Sequence, residues 1–248
     1  CSEFCQNGSG RVGLGRMAGR LEIMKVDEIL AKLTEMFPDA HCELIHRNPF
    51  ELAVAVVLSA QTTDVSVNKV TPQLFEKFPT PQALASASLE EIESCIHRIG
   101  LYHNKAKSIQ GLARGVVEQF DGVMPQTMEE LMSLPGVGRK SANVIMSVCF
   151  GMPAIAVDTH VERVSKRLRL AAPKDTVLEV EKKLMRKLPK SEWSHAHHLF
   201  IFFGRYFCKA KNPQCQDCPF TSFCREYQAQ QKQAEKVEKQ KRVKAKAA

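Results

Sequence analysis

The chain has 248 residues, 44% of them hydrophobic, and a formal charge of +8. That supplies enough apolar material for one large core or two small ones and excludes a chain disordered throughout. No run of about eighteen apolar residues is present, and the N-terminus lacks a signal peptide's apolar stretch, so a soluble, cytoplasmic protein without a membrane partner is expected.

Residues 1–24 are rich in Gly and Arg and aperiodic, and are expected to form a disordered leader. From Lys25 the pattern is helical. Val26, Ile29, Leu30, Leu33, Met36 and Phe37 share one face before Pro38 ends the run. Asn48-Pro49-Phe50-Glu51 supplies an N-cap, a proline at the first helical position and a capping acid, and the segment that follows is apolar all round, which predicts a central, buried helix. Further helix starts are written at Asp64, Thr80-Pro81, Ser88 with Glu91, Thr127 with Glu130, and Thr176 with Glu179. The longest stripe runs from Ala106 to Phe120 and is closed by Asp121-Gly122, while Ala154 to Val157 is the one extended candidate. These signals add up to an all-α fold of about ten helices. Residues 225–248 hold eight Lys/Arg against three Glu, and residues 25–224 carry only +2. The basic tail is expected to be disordered and to add non-specific phosphate affinity, so charge alone does not identify nucleic acid.

Chemistry concentrates in three places. Residues 129–150 read as a helix, a Leu134-Pro135-Gly136-Val137-Gly138 turn and a second helix. Gly136 and Gly138 are expected to allow unusual conformations and close backbone approach, and the amides of Val137 through Lys140, with Arg139 among them, to face outward where a phosphate oxygen can bind. A simple packing turn is the alternative. Lys140 meets the positive end of the helix dipole beside Arg139, so its ammonium form is disfavoured and a nucleophilic amine is conceivable; a phosphate-binding surface lysine is the plainer role. Asp158 starts the helix after the extended piece, either as a plain N-cap or as a carboxylate that stabilises positive charge at a cleft. Finally, Cys208, Cys215, Cys218 and Cys224 crowd into seventeen residues. Their spacing favours a [4Fe–4S] cluster over zinc, with Lys209 and Lys211 in the first loop able to reach phosphates. Cys42, Cys95 and Cys149 sit among apolar residues and read as small buried hydrophobes.

Four ordered motifs, VLSAQTTD (57–64), IGLYHNKA (99–106), LPGVGRKSAN (134–143) and VDTHVERV (157–164), followed by the cysteine loop, resemble the endonuclease III family of helix–hairpin–helix DNA glycosylases over residues 25–224. The resemblance implies two helical lobes: a six-helix barrel over 44–155 with the hairpin, and a cluster-bearing lobe from 25–43 with 156–224. It implies a monomer acting on double-stranded DNA that contains damaged pyrimidines or abasic sites. Lys140 matches the catalytic lysine and Asp158 the catalytic aspartate, Leu134 to Arg139 match the phosphate-gripping hairpin, and Gln61 and Leu101 match residues that fill the gap left by an extruded base. Removal of the base and β-elimination through a Lys140 Schiff base are the implied reactions.

The departures are small: Ser141 stands where a Thr is common, and neither extension has a counterpart. His160 fits the pattern without a catalytic role, and His195, His197 and His198 near Trp193 read as packing and helix-surface residues. An adenine glycosylase opposite oxidised guanine is disfavoured by the presence of Lys140 and by the short chain after Cys224, whereas relatives acting on thymine in G·T mismatches or on pyrimidine dimers stay as alternatives, because pocket residues decide substrate. A non-enzymatic metal-bearing DNA-binding module is the rival from another class.

Overall fold

Two separate hydrophobic cores organise the chain. The computed structural model describes residues 24–247, and among these every regular element is helical. The leader expected over 1–24 lies outside the described residues, apart from Met24.

The first core is built around α2 (Pro49–Leu58), whose residues Phe50 to Leu58 are all buried, as its all-round apolar sequence requires. Asn48 caps it, accepting from the Glu51 amide at 2.9 Å. Around it lie α3 (Asp64–Asn68), α4 (Thr71–Lys77), α5 (Pro81–Ser86), α6 (Leu89–Ile96), α7 (Tyr102–Phe120), α8 (Met128–Ser133) and α9 (Arg139–Phe150). The predicted starts are realised as side-chain caps. Ser88 with Glu91 forms a reciprocal capping box, Thr80 and Thr127 accept one amide each, and the cap of α3 is Thr63, one residue before the expected Asp64. Asp121, in the left-handed conformation, ends α7.

The second core joins α1 (Val26–Met36) to α10 (Thr159–Arg167), α11 (Val177–Lys187) and α12 (Trp193–Phe202), with the cysteine loop beyond. Thr176 and Glu179 make the capping box of α11. A π-helical turn, Phe203–Phe207, continues α12 into Cys208. Gly204 lets α10 pass closely, because a Cβ there would lie 2.8 Å from His160 Cβ.

Residues 154–157 cross between the cores. They form no regular element and pair with no strand among the described residues; Ile155 and Val157 enter the second core while Ala156 enters the first. The period-2 alternation therefore serves two cores rather than a sheet.

Thirteen α-helices form among the described residues, more than the roughly ten expected, because short helices such as α3 carry no readable periodicity and because the tail is helical. The expected disorder of 225–248 is corrected by α13 (Arg225–Ala247). That segment holds good helix formers and no Gly or Pro, with pairs such as Gln230 to Glu226 (3.0 Å) and Arg242 to Glu238 (3.2 Å) one turn apart. Its first turn is anchored by Arg169, which donates to Gln228 at 2.8 Å.

His197 and His198 lie on α12 with ring centroids 5.0 Å apart. Burial pushes His197 down to about 3 and His198 to about 4, aided by the neighbouring imidazoles. Both are neutral when folded, whereas in the unfolded chain they take up protons below about 6.5. Stability therefore falls as pH drops from about 6.5 towards 4, by roughly 1.4 kcal/mol per pH unit for each group. Urea melts at pH 7.5 and 5.5 should show this loss, and the double change His197→Leu/His198→Leu should shrink it; an unchanged pH difference in that variant would contradict the assignment.

Candidate active site and metal centre

The hairpin between α8 and α9 sits against the flank of α7. Gly111 and Gly115 make room for it: a Cβ on Gly115 would fall 2.9 Å from Leu134 Cδ2, and one on Gly111 3.2 Å from Pro135 Cβ. Leu134 and Val137 are buried, so their side chains pack the hairpin instead of facing a ligand. Gly136 is at φ +80°, and a Cβ there would crowd Val57 at 3.2 Å. Gly138, in contrast, has an ordinary φ of −93° and nothing within 4 Å of a would-be Cβ. Only Gly136 meets the expectation of an unusual backbone; Gly138 leaves open space. The Val137 amide is already used, donating to the Leu134 carbonyl at 3.1 Å. Gly138 caps α9 without a side-chain bond, which leaves the amides at the start of α9, including Arg139 and Lys140, without intrahelical acceptors.

The Arg139 side chain is engaged elsewhere. Its guanidinium grips the buried Glu181 of α11, with Nε donating at 3.1 Å and Nη2 at 2.5 Å to Oε1. The amide nitrogen of Asn143 donates to Glu181 Oε2 at 3.3 Å and to the Ile155 carbonyl at 3.1 Å. This network ties the helix that bears Lys140 to the segment that leads to Asp158. Asp158 caps α10, and its Oδ1 accepts from the His160 and Val161 amides, both at 2.8 Å. Both bonds fall on Oδ1, which leaves Oδ2 available.

Lys140 and Asp158 line one cavity of about 70 Å³ between the cores. Ser59, Asp64, Glu43, His197 and Arg205 line it too, and none was singled out as a site residue from sequence. Ser59 and Asp64 lie within the VLSAQTTD motif, which was the only signal for them. Arg205 bonds Asp64 at 2.8 Å and also pairs with Glu43, joining the π-helical turn to the first core. His197 is buried with Nδ1 unpartnered, so it is a core residue and not a helix-surface one. Cys42 is a half-buried member of the same wall, and burial pushes its thiol up. Buried Cys95 and half-buried Cys149 lie in or against the first core.

Gln61 and Leu101 stand outside this cavity and share a rare backbone state, with φ of 56° and 59°. Leu101 is 58% exposed. A bulky residue held left-handed and projecting into solvent is strained, and such strain collects at functional loops.

Cys208, Cys215, Cys218 and Cys224 line a second cavity walled by Leu168, Phe203, Phe207 and Tyr227. All four are free thiols. Among the described residues, no three His, Cys, Asp or Glu side chains converge closely enough to hold a single ion. Four thiols around one shared cavity are the ligand set that a multi-iron cluster takes. Burial pushes the Cys218 thiol up to about 11 and raises Cys208 and Cys215, so the thiolate forms need the positive charge that bound metal supplies. Arg167 helps, with Nη1 3.3 Å from Cys208 Sγ. Fully buried Phe203, Phe220 and Phe223 pack edge-on beneath the loop. Lys209 and Lys211 are exposed on it.

Residues 54–190 match the HhH-GPD superfamily of base excision DNA repair proteins, and residues 208–224, from the first of these cysteines to the last, match the iron-sulfur binding domain of endonuclease III. The chain is 57% identical over 212 residues to endonuclease III of Bacillus subtilis (strain 168), covering 86% of this chain and 97% of that one. It is 45% identical over 217 residues to endonuclease III of Synechocystis sp., covering 87% and 98%. The solved structure of a trapped endonuclease III–DNA covalent intermediate (estranged-adenine complex) superposes with a TM-score of 0.81 at 58% identity, covering 83% of this chain and 97% of that one. Fold, hairpin and cysteine loop define a helix–hairpin–helix protein of base-excision DNA repair with a [4Fe–4S] cluster. Within that class, the chain belongs to the endonuclease III family.

The two hairpin glycines should separate on substitution. Gly136→Ala forces a left-handed alanine against Val57 and should cost about 1–2 kcal/mol of stability or more. Gly138→Ala should cost at most about 1 kcal/mol as an N-cap change but weaken binding to duplex DNA. Thermal melts and gel shifts of both variants distinguish these effects, and equal losses of stability would overturn the distinction. Cys218→Ser should purify depleted in iron and acid-labile sulfide; a full complement would point to a different ligand set.

Proposed function

We propose that this chain is a bifunctional DNA N-glycosylase and AP lyase that removes oxidised or ring-damaged pyrimidines from double-stranded DNA and nicks the strand on the 3′ side of the resulting site. The observation that carries this reading is the meeting of Lys140, on the hairpin helix, and Asp158, at the cap of α10, in one cavity between the cores. The family resemblance and the trapped covalent complex of a relative at 58% identity support it.

In this reading the hairpin amides of Gly138, Arg139 and Lys140 hold a backbone phosphate, while Lys209 and Lys211 contact phosphates beside the cysteine loop. Arg139 contributes through its main chain, because its guanidinium belongs to Glu181. The damaged base leaves the stack at a cost of roughly a few kcal/mol, which damage lowers, and Gln61 and Leu101 enter the gap. The Lys140 amine bonds to C1′ as the bond from C1′ to the base breaks, and the base departs with the electron pair. The Asp158 carboxylate stabilises positive charge on the sugar and assists proton transfer. Ring opening leaves a Schiff base between Lys140 and C1′. Loss of a C2′ proton then forms the C2′–C3′ double bond and expels the 3′ phosphate, and water releases the lysine.

Cys208, Cys215, Cys218 and Cys224 hold the [4Fe–4S] cluster, whose contribution is to fix the loop that presents the two lysines. In this reading a barrel lobe over 44–155 and a cluster lobe over 25–43 with 156–224 take DNA across the cleft between them. The enzyme works as a monomer in the cytoplasm, on the DNA of the nucleoid if the cell is bacterial.

Borohydride trapping on an abasic-site duplex tests the mechanism. Wild type should form a covalent adduct, Lys140→Ala none, and Asp158→Asn should form it roughly a hundredfold more slowly or worse. No adduct from folded, cluster-loaded wild type would overturn the Schiff-base reading. A panel of duplexes carrying oxidised pyrimidines, oxidised purines or mismatched thymine tests substrate choice, with excision of the first group alone expected.

A further inference from the structure

Lys105 is a buried cation that the proposed reaction does not use. It lies in the first turn of α7 and is only 5% exposed. Among the described residues its ammonium forms no ion pair, and its one hydrogen-bond partner is the Thr62 hydroxyl, 43 positions away in sequence. Burial pushes its titration below the usual lysine range. An apolar side chain of similar length would fill the space at lower cost, so the position asks for an account other than packing.

The two ends of this contact provide one. The Lys105 amide donates to the Leu101 carbonyl at 3.0 Å, and Thr62 directly follows Gln61 while its own amide donates to the Ser59 carbonyl at 3.0 Å. Gln61 and Leu101 are the two exposed left-handed residues described above. A non-glycine residue in that state costs about 1 kcal/mol or more and persists only where its surroundings hold it. One side chain thus spans from the turn that sets Leu101 to the turn that sets Gln61.

We infer that Lys105 is a positioning residue that, through Thr62, locks the Gln61 and Leu101 turns in register so that both side chains enter the duplex together when a damaged base leaves it. This inference rests on the proposed gap-filling role of Gln61 and Leu101. Lys105 touches no reacting atom, so its loss slows base extrusion and leaves the chemistry at Lys140 unaltered.

The test compares cluster-loaded wild type with Lys105→Met and Thr62→Val on two substrates. A duplex carries a stable abasic analogue opposite a fluorescent adenine analogue, whose signal reports entry of the side chains. A single-stranded abasic oligonucleotide, which needs no extrusion, is used for borohydride trapping. The fluorescence step should slow about tenfold in each variant, the equivalent of one charge-assisted hydrogen bond. Single-strand trapping should stay near the wild-type rate, and the double variant should be no worse than either single one. Thr62→Val, a near-isosteric change at a half-buried position, serves should Lys105→Met fail to fold. Equal losses on both substrates, additive defects, or an unaltered fluorescence step would overturn the role of Lys105. Gln61→Ala and Leu101→Ala measured alongside separate the two readings. A defect in these with none in Lys105→Met or Thr62→Val rejects the lock alone, and no defect in them rejects the gap-filling role on which it rests.

Discussion

Glu181 is 4% exposed, and its carboxylate is held by the Arg139 guanidinium and the Asn143 amide. This contact ties the helix that bears Lys140 to α11 and to the segment that leads to Asp158. Arg139 immediately precedes Lys140, and Asn143 is one turn further along the same helix. Asn143 also donates to the Ile155 carbonyl, three residues before Asp158. Glu181 is buried while Arg139 is half exposed, so removing the arginine would leave a buried carboxylate held by the Asn143 amide alone. The orientation of α9 against α11 and against the crossing segment is therefore fixed by electrostatics as well as by apolar packing. The crossing segment pairs with no strand among the described residues, so its backbone needs side-chain partners, and Asn143 supplies one.

The hairpin shows how one short sequence divides two tasks. Leu134 and Val137 are buried, and Leu134 with the exposed Pro135 seats the turn on α7, where Gly111 and Gly115 admit it. Gly136 bends the chain in a conformation that an L side chain resists. Gly138 does neither; its Cβ would meet open space, and the helix start that it caps is bare of side-chain oxygens. A bare N-terminus is a cost to an isolated helix and an opportunity for an anion, which is how a structural motif becomes a phosphate grip.

Charge is treated differently in each part of the molecule. The second core excludes it, keeping His197 and His198 neutral, and the neighbouring cavity admits Lys140, Asp158, Asp64 and Arg205 at its wall. Burial in the cysteine loop raises the thiols of Cys208, Cys215 and Cys218, which the positive charge of bound metal would offset. Most of the excess positive charge lies on α13, a helix of low mean hydropathy that Arg169 ties to the body near its start.

Local chemistry was legible in the sequence. The caps at Asn48, Ser88, Thr176 and Asp158, the buried α2, the closure of α7 at Asp121 and the helix–turn–helix around Leu134 follow from short-range hydrogen bonding and hydrophobic period, and the structure has each of them. The cysteine spacing favoured a multi-iron site because four thiolates so close in sequence constrain what they can surround. Contacts between distant residues were not legible. Nothing near Arg139 announces Glu181, nothing near Lys105 announces Thr62, and the free state of Gly138 and the used amide of Val137 depend on how the hairpin sits on α7. The helical tail was misread because composition rich in Lys and Gln suits a solvated coil as well as a helix, and the anchoring by Arg169 comes from elsewhere in the chain. The sequence by itself determined the helices, their caps and the residue types that carry chemistry, since these depend on neighbours within one or two turns. Only the tertiary structure decided which of those residues meet, because long-range ion pairs and shared cavities are set by packing between segments far apart in the chain.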